Sequence, residues 1–244
     1  MKLKYLAVLL IAVFISCKNS KDNWIKPPKS FDGFLYNNSF DSVSTALPKS
    51  LFKNGIHKTS VCFKRKDSTF LILKNKLSLS SEISILIWIE TDFYDSNGTI
   101  INLSENKKDF PINSRLSIFM NKNRLGVMHQ GIDLRKEEYV NNRDFTKYFM
   151  SLEQLKRKKI YFLAYVFLKN RVEIYVDGAL YAKFDNVPNL DNVNYVTLGG
   201  SWNNKGVNYL FNGCMDDLYI YDKALNEEEI IKLMDYSHIY QYAK

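Results

Sequence analysis

Short apolar runs, most of strand length, recur along this chain between polar turn residues. They include Phe70 to Leu73, Ile85 to Ile89, Thr99 to Leu103, Leu116 to Met120 and Arg124 to Met128. Further on come Ile160 to Leu168, Val172 to Val176, Leu180 to Phe184, Tyr195 to Leu198 and Leu218 to Tyr221. These runs are rich in Ile, Val, Phe and Tyr, which pack well on a pleated surface. Ile160 to Leu168 (IYFLAYVFL) is apolar at odd and even positions alike, which predicts a central strand covered on both faces. From Arg171 to Asp177, Val172, Ile174 and Val176 share one face, while Glu173 and Tyr175 share the other. Only Asp177-Gly178 separates that strand from Leu180 to Phe184. Asp-Gly reaches the positive φ values of a tight turn with little strain, so the two strands should form a hairpin. Many short strands with turn signals between them predict a sandwich or barrel.

Two segments carry a helical signal. Ser151 to Leu155 (SLEQL) is long enough for one turn. Asn226 to Tyr236 is longer: Asn226 can cap the first N–H groups, Glu229 follows three residues on, and Ile230, Leu233 and Met234 form an apolar stripe. This helix is expected to pack on the sandwich near its end.

The N-terminus reads as a targeting segment. Lys2 and Lys4 precede the apolar run Leu6 to Ile15, which is shorter than the ~20 residues a spanning helix needs. Phe14-Ile15-Ser16-Cys17 then resembles the lipobox of bacterial lipoproteins, with Phe14 in place of the usual leucine. The resemblance implies that residues 1–16 are removed, that Cys17 is lipidated and that the protein sits on a bacterial membrane. The outer membrane is the expected one, with the protein in the periplasm or at the surface. The alternative is an ordinary signal peptide followed by an incidental cysteine. Residues 17–30, with Pro27-Pro28, show no hydrophobic period and read as a tether. Residues 31–244 suit one large β domain, and 46% hydrophobic and 14% aromatic residues give it material for a core.

The formal charge is +8, with the basic run Lys156-Arg157-Lys158-Lys159. Such a run either meets an anionic partner or coats exposed edges and loops. No nucleic-acid motif accompanies it, so nucleic acid is not expected as a partner. Beyond Cys17 the cysteines are Cys62 and Cys214. In an exported protein they either form a disulfide or stay as two buried thiols, and the sequence alone does not separate these.

The C-terminal motifs match a family in order and spacing. Glu173-Ile174-Tyr175-Val176-Asp177-Gly178 resembles the "YVDG" hairpin of laminin G-like domains of the concanavalin A-like superfamily. Leu198-Gly199-Gly200 is similar to the strand end that follows. Phe211 to Tyr221 (FNGCMDDLYIY) resembles the late strand, and Asp222 to Ile230 its continuation into "L-s-x-eEI". Upstream, Ile83 to Glu90 with Trp88, Val61 to Lys64, and Phe34 to Ser42 with Asp41 are similar to earlier strands. The family's glycine after Val61-Cys62-Phe63 is absent, as are the Trp and His often found near Lys159-Ile160-Tyr161. The resemblance spans Phe34 to Asp235. It implies an all-β, two-sheet antiparallel jelly-roll sandwich with a short C-terminal helix, binding ligands on its curved face or end loops. It also implies a structural calcium ion, with Asp41 and Asp216 in the matching positions.

Catalytic signatures are absent. Glycanases of this broad fold place E-x-D-x-E on one strand face, and Glu82, Glu90 and Asp92 do not reproduce it. Gly199-Gly200-Ser201-Trp202-Asn203 fails the last position of G-x-S-x-G, and His57, His129 and His238 are scattered. The expectation is therefore no enzyme. A ligand site is expected at Trp202, with Asn203, Asn204, Asn208 and Tyr209 around it, because sugars bind flat aromatic faces and amides. The alternative is that Trp202 folds down as a lid on the sandwich rim. Trp88 belongs to the core and Trp24 to the tether. These readings converge on a membrane-anchored, non-catalytic carbohydrate-binding module. The alternatives are a protein-interaction or adhesion module with a cell-surface partner and, third, a divergent glycan-active enzyme.

Overall fold

The computed structural model of the protein describes residues 34–38, 52–55, 58–64, 70–73, 82–91, 98–104, 115–130, 146–187, 193, 195–203 and 206–239. Along the chain these form β1 (Phe34–Asn38), β2 (Phe52–Gly55), β3 (Lys58–Phe63), β4 (Leu71–Leu73), β5 (Ile83–Thr91), β6 (Gly98–Ser104), β7 (Arg115–Asn121) and β8 (Arg124–Gln130). There follow β9 (Thr146–Met150), β10 (Ile160–Leu168), β11 (Arg171–Val176), β12 (Ala179–Asp185), β13 (Tyr195–Leu198), β14 (Ser201–Asn203), β15 (Gly206–Asn208), β16 (Gly213–Tyr221) and the helix α1 (Glu227–Ile239). One sheet runs β12-β11-β10-β5-β16-β3-β2, with β1 also pairing β16; the other runs β4-β13-β6-β7-β8-β9. β14 and β15 form a separate two-stranded hairpin. The result is the expected two-sheet antiparallel jelly-roll sandwich with a short C-terminal helix.

Alternation along the strands sorts side chains into three layers. Ile85, Ile87 and Ile89 of β5 and Leu163, Tyr165 and Phe167 of β10 face inward. They meet Leu103 of β6, Leu116 and Ile118 of β7 and Val127 of β8 in the core between the sheets. The intervening residues, Leu86, Trp88, Phe162 and Val166, lie on the opposite face of the larger sheet, buried with Leu225, Ile230 and Leu233 of the helical segment. Both faces of this sheet are thus covered, which is why its central strands are apolar throughout. Trp88 is core, as expected: its indole N–H donates to Ser237 Oγ at 2.9 Å.

Local chemistry fixes the edges of these elements. Asp177 (φ 50°) and Gly178 (φ 83°) make the tight turn between β11 and β12. Asn226 and Glu229 cap α1 reciprocally: Glu229 N–H donates to Asn226 Oδ1 at 2.9 Å, and Asn226 N–H donates to Glu229 Oε2 at 3.0 Å. Ser84 Oγ accepts from Leu225 N–H and donates to the Lys223 carbonyl, both at 2.8 Å, clamping the helix entry to β5. The helix therefore packs on the face of the larger sheet, and its Ile231 and Met234 reach Gly178 in the turn at the end of that sheet. Ser151 to Leu155 is not a helical turn. Its backbone is spent on the β7–β8 turn instead, with Ser151 N–H to the Leu125 carbonyl and Leu155 N–H to the Asn123 carbonyl, both at 2.8 Å.

Cys62 on β3 and Cys214 on β16 stand directly opposite in register and are joined by a disulfide, with Cα atoms 4.0 Å apart.

Candidate functional site

α1 covers one sheet, and the outward face of the six-stranded sheet carries a cavity. Cross-strand partners share a face. Register therefore sets Thr99 beside Phe119, Asn102 beside Ser117, and Met128 between Ser117 and Tyr148 on the side away from the core. There a cavity of about 320 Å³ opens, within the size range of small-ligand sites. Phe119 and Asn121 of β7, Met128 of β8, and Tyr148 and Met150 of β9 line it, with Thr99 and Ser117 behind them. Tyr209, 57% exposed, closes one side; its carbonyl accepts from Thr99 N–H at 2.6 Å, which ties it to β6.

The pocket combines aromatic faces with a few polar atoms. Tyr148 is 64% exposed and meets Phe119 edge-on, with ring centroids 6.3 Å apart at 89°. Phe119 lies against β8 because residue 126 is glycine: a Cβ there would come within 2.7 Å of the ring. Ser117 Oγ donates to Asn102 Oδ1 at 2.7 Å, and both residues are fully buried. Asn102 Nδ2 and the Asn121 Oδ1 at the pocket have no hydrogen-bond partner. Tyr175 donates to Glu173 Oε2 at 3.0 Å, and burial, that bond and the carboxylate charge push its hydroxyl up to about 12.

Of the residues expected at the ligand site, the structure brings Tyr209 to this pocket. Trp202, Asn203 and Asn208 lie on the β14–β15 hairpin rather than in a loop, with Trp202 opposite Val207. The side chains of Trp202, Asn203 and Asn208, and all of Asn204, lie outside the described residues. Phe119, Met128, Tyr148 and Met150 were not anticipated. The available signal was an aromatic on the polar face of an amphipathic strand, Ser117-Ile118-Phe119. Of the expected calcium site, Asp41 lies outside the described residues, as does the expected lipidation site Cys17. Asp216 is fully buried in β16, and its Oδ1 accepts from Asp217 N–H at 3.0 Å. It sits where the neighbour of β16 changes from β3 to β1, and Asp217 there adopts φ 45°. Among the described residues no three His, Cys, Asp or Glu side chains gather as a metal set.

A two-sheet antiparallel sandwich of this topology is a concanavalin A-like fold. The chain belongs to the concanavalin A-like lectin/glucanases superfamily, whose laminin G model matches residues 65–231. No curated protein sequence matches it. Among solved structures it is similar to a heptameric SAP-like pentraxin of Limulus polyphemus (16% identity, TM-score 0.53, 72% of this chain and 82% of that one). It is also similar to domain 4 of the arabinanase AbnA of Geobacillus stearothermophilus in complex with arabinotriose (15%, 0.52, 75% and 79%). A third is the binding domain of Botulinum neurotoxin DC in complex with rat synaptotagmin II (15%, 0.51, 73% and 43%). At these identities the likeness is one of fold.

Proposed function

We propose that this protein is a non-catalytic carbohydrate-binding module, held at a bacterial membrane by a lipid on Cys17 and binding glycans in the pocket of the six-stranded sheet. The observation that carries the reading is that the exposed Tyr148 and Tyr209 line one cavity together with the polar side chains of Asn121, Ser117 and Thr99. A sugar ring has an apolar face for the former and hydroxyls for the latter. The pentraxin-like and arabinanase-domain neighbours support the fold for that role. Calcium on Asp41 and Asp216 belongs to the same proposal as a structural support at the point in β16 where its neighbour changes from β3 to β1. A polysaccharide pull-down with the full-length protein tests the reading, run with calcium and with chelator. Saturable retention that Tyr148→Ala abolishes is expected. Retention unchanged by Tyr148→Ala, or none on any glycan, contradicts it; loss of retention with chelator would add the calcium.

A further inference from the structure

We infer that the glycan is polyanionic, with one ring in the pocket and its acidic neighbours lying across Lys122, Lys156 and Lys158. This rests on the carbohydrate reading and names its ligand class. Among the described residues no charged side chain lines the pocket, so the ring within it contacts neutral groups. The chain leads from there directly to cations. Asn121 lines the pocket and Lys122 follows it in the β7–β8 turn. Met150 lines it too, and the segment after it runs back along that turn through the Ser151–Leu125 and Leu155–Asn123 backbone bonds. That path sets Lys156 beside the β7–β8 turn, and Lys158 follows two residues on, where the chain crosses to β10 of the larger sheet.

These lysines differ from their neighbour. Lys159 is held by Asp177 at 3.4 Å, whereas Lys122, Lys156 and Lys158 are exposed and pair with no carboxylate among the described residues. Lys122 (φ 48°) and Lys158 (φ 49°) also occupy the left-handed region. That conformation costs an L-residue about 1–2 kcal/mol, and glycine or asparagine would fill it with less strain. Turn geometry therefore does not call for lysine at either position, while binding anions would. Cations at the same end of the sandwich as a neutral pocket fit a polymer whose carboxylates or sulfates recur along its length, and the formal charge, +6 once residues 1–16 with Lys2 and Lys4 are removed, adds attraction at longer range.

The test measures binding of the full-length protein to polygalacturonate and heparin, and to neutral galactan, at low and high salt. It uses wild type, Tyr148→Ala and the triple variant Lys122→Gly, Lys156→Ser, Lys158→Gly, in which glycine keeps the turns. Wild type should hold an acidic polymer about tenfold or more tighter than galactan at low salt and lose that margin at high salt. The triple variant should lose the margin while keeping its melting temperature and its galactan binding. Equal binding of acidic and neutral polymers, or an unaffected triple variant, overturns the inference and leaves the carbohydrate reading standing. Loss of all glycan binding in wild type overturns both. Acidic-polymer binding indifferent to Tyr148→Ala, and matched by anionic vesicles or an oligonucleotide, also overturns it, because the lysines would then act as an unspecific patch.

Discussion

A methyl group at Gly126 would meet the Phe149 carbonyl oxygen at 2.6 Å and the Phe119 ring at 2.7 Å. Gly126→Ala should therefore displace the ring into the cavity. It should cost about 1–3 kcal/mol by overpacking and weaken glycan binding together, measured by thermal melting and titration of the same preparation. Tyr148→Ala and Tyr209→Ala should behave differently. Both rings are more than half exposed, so stability should change by less than about 0.5 kcal/mol. Binding should fall by about 2 kcal/mol or more if they form the sugar platform, and isothermal titration beside a melting curve separates the two effects. Tyr209 was legible in the sequence because it follows a polar stretch rich in asparagine. Phe119 and Tyr148 were not, because the face a strand residue takes depends on which sheet its partners join, and those partners are distant in sequence.

The secondary-structure elements were easier to read. Ile160–Leu168 and Tyr195–Leu198 match the apolar runs at both ends, and the Asp177-Gly178 hairpin follows from turn chemistry alone. Thr146–Met150 was missed because its five residues sit among polar neighbours, and its pairing with β8 makes it a strand. Ser151 to Leu155 had helical spacing, but tertiary backbone bonds to β8 and its turn prevailed. The capping box of α1 gives a pH prediction. Burial alone would raise the Glu229 carboxyl, but the bonds from Lys223 Nζ at 2.7 Å and Asn226 N–H outweigh it and hold it below its ordinary value. Its contribution is thus complete above the ordinary carboxylate range and is lost as pH falls through the lowered folded value. Asn226→Ala should cost about 1 kcal/mol near neutral pH. Urea melts of wild type and Glu229→Gln should converge as acid removes the charge; a constant gap would contradict this account.

Across the whole molecule, the disulfide ties β3 to β16 over a sequence separation of 152 residues. A loop that long predicts a stabilisation of about 2–5 kcal/mol, so a reductant, or Cys62→Ser with Cys214→Ser, should lower the melting temperature by several degrees. The fold was largely legible because hydrophobic alternation and the late-strand motifs constrain both sheets. The site was less so, since it assembles from β7, β8, β9 and Tyr209. Membrane attachment is a separate matter, and Cys17→Ser should release the protein from the membrane fraction if the lipid holds it. The central claim is the location of the glycan on the six-stranded sheet. Hydrogen–deuterium exchange of the full-length protein, with and without a retained glycan, tests it most directly. Protection is expected over Arg115–Gln130, Thr146–Met150 and the segment around Tyr209. Protection confined to α1 and the larger sheet, or no change at saturating glycan, would contradict it.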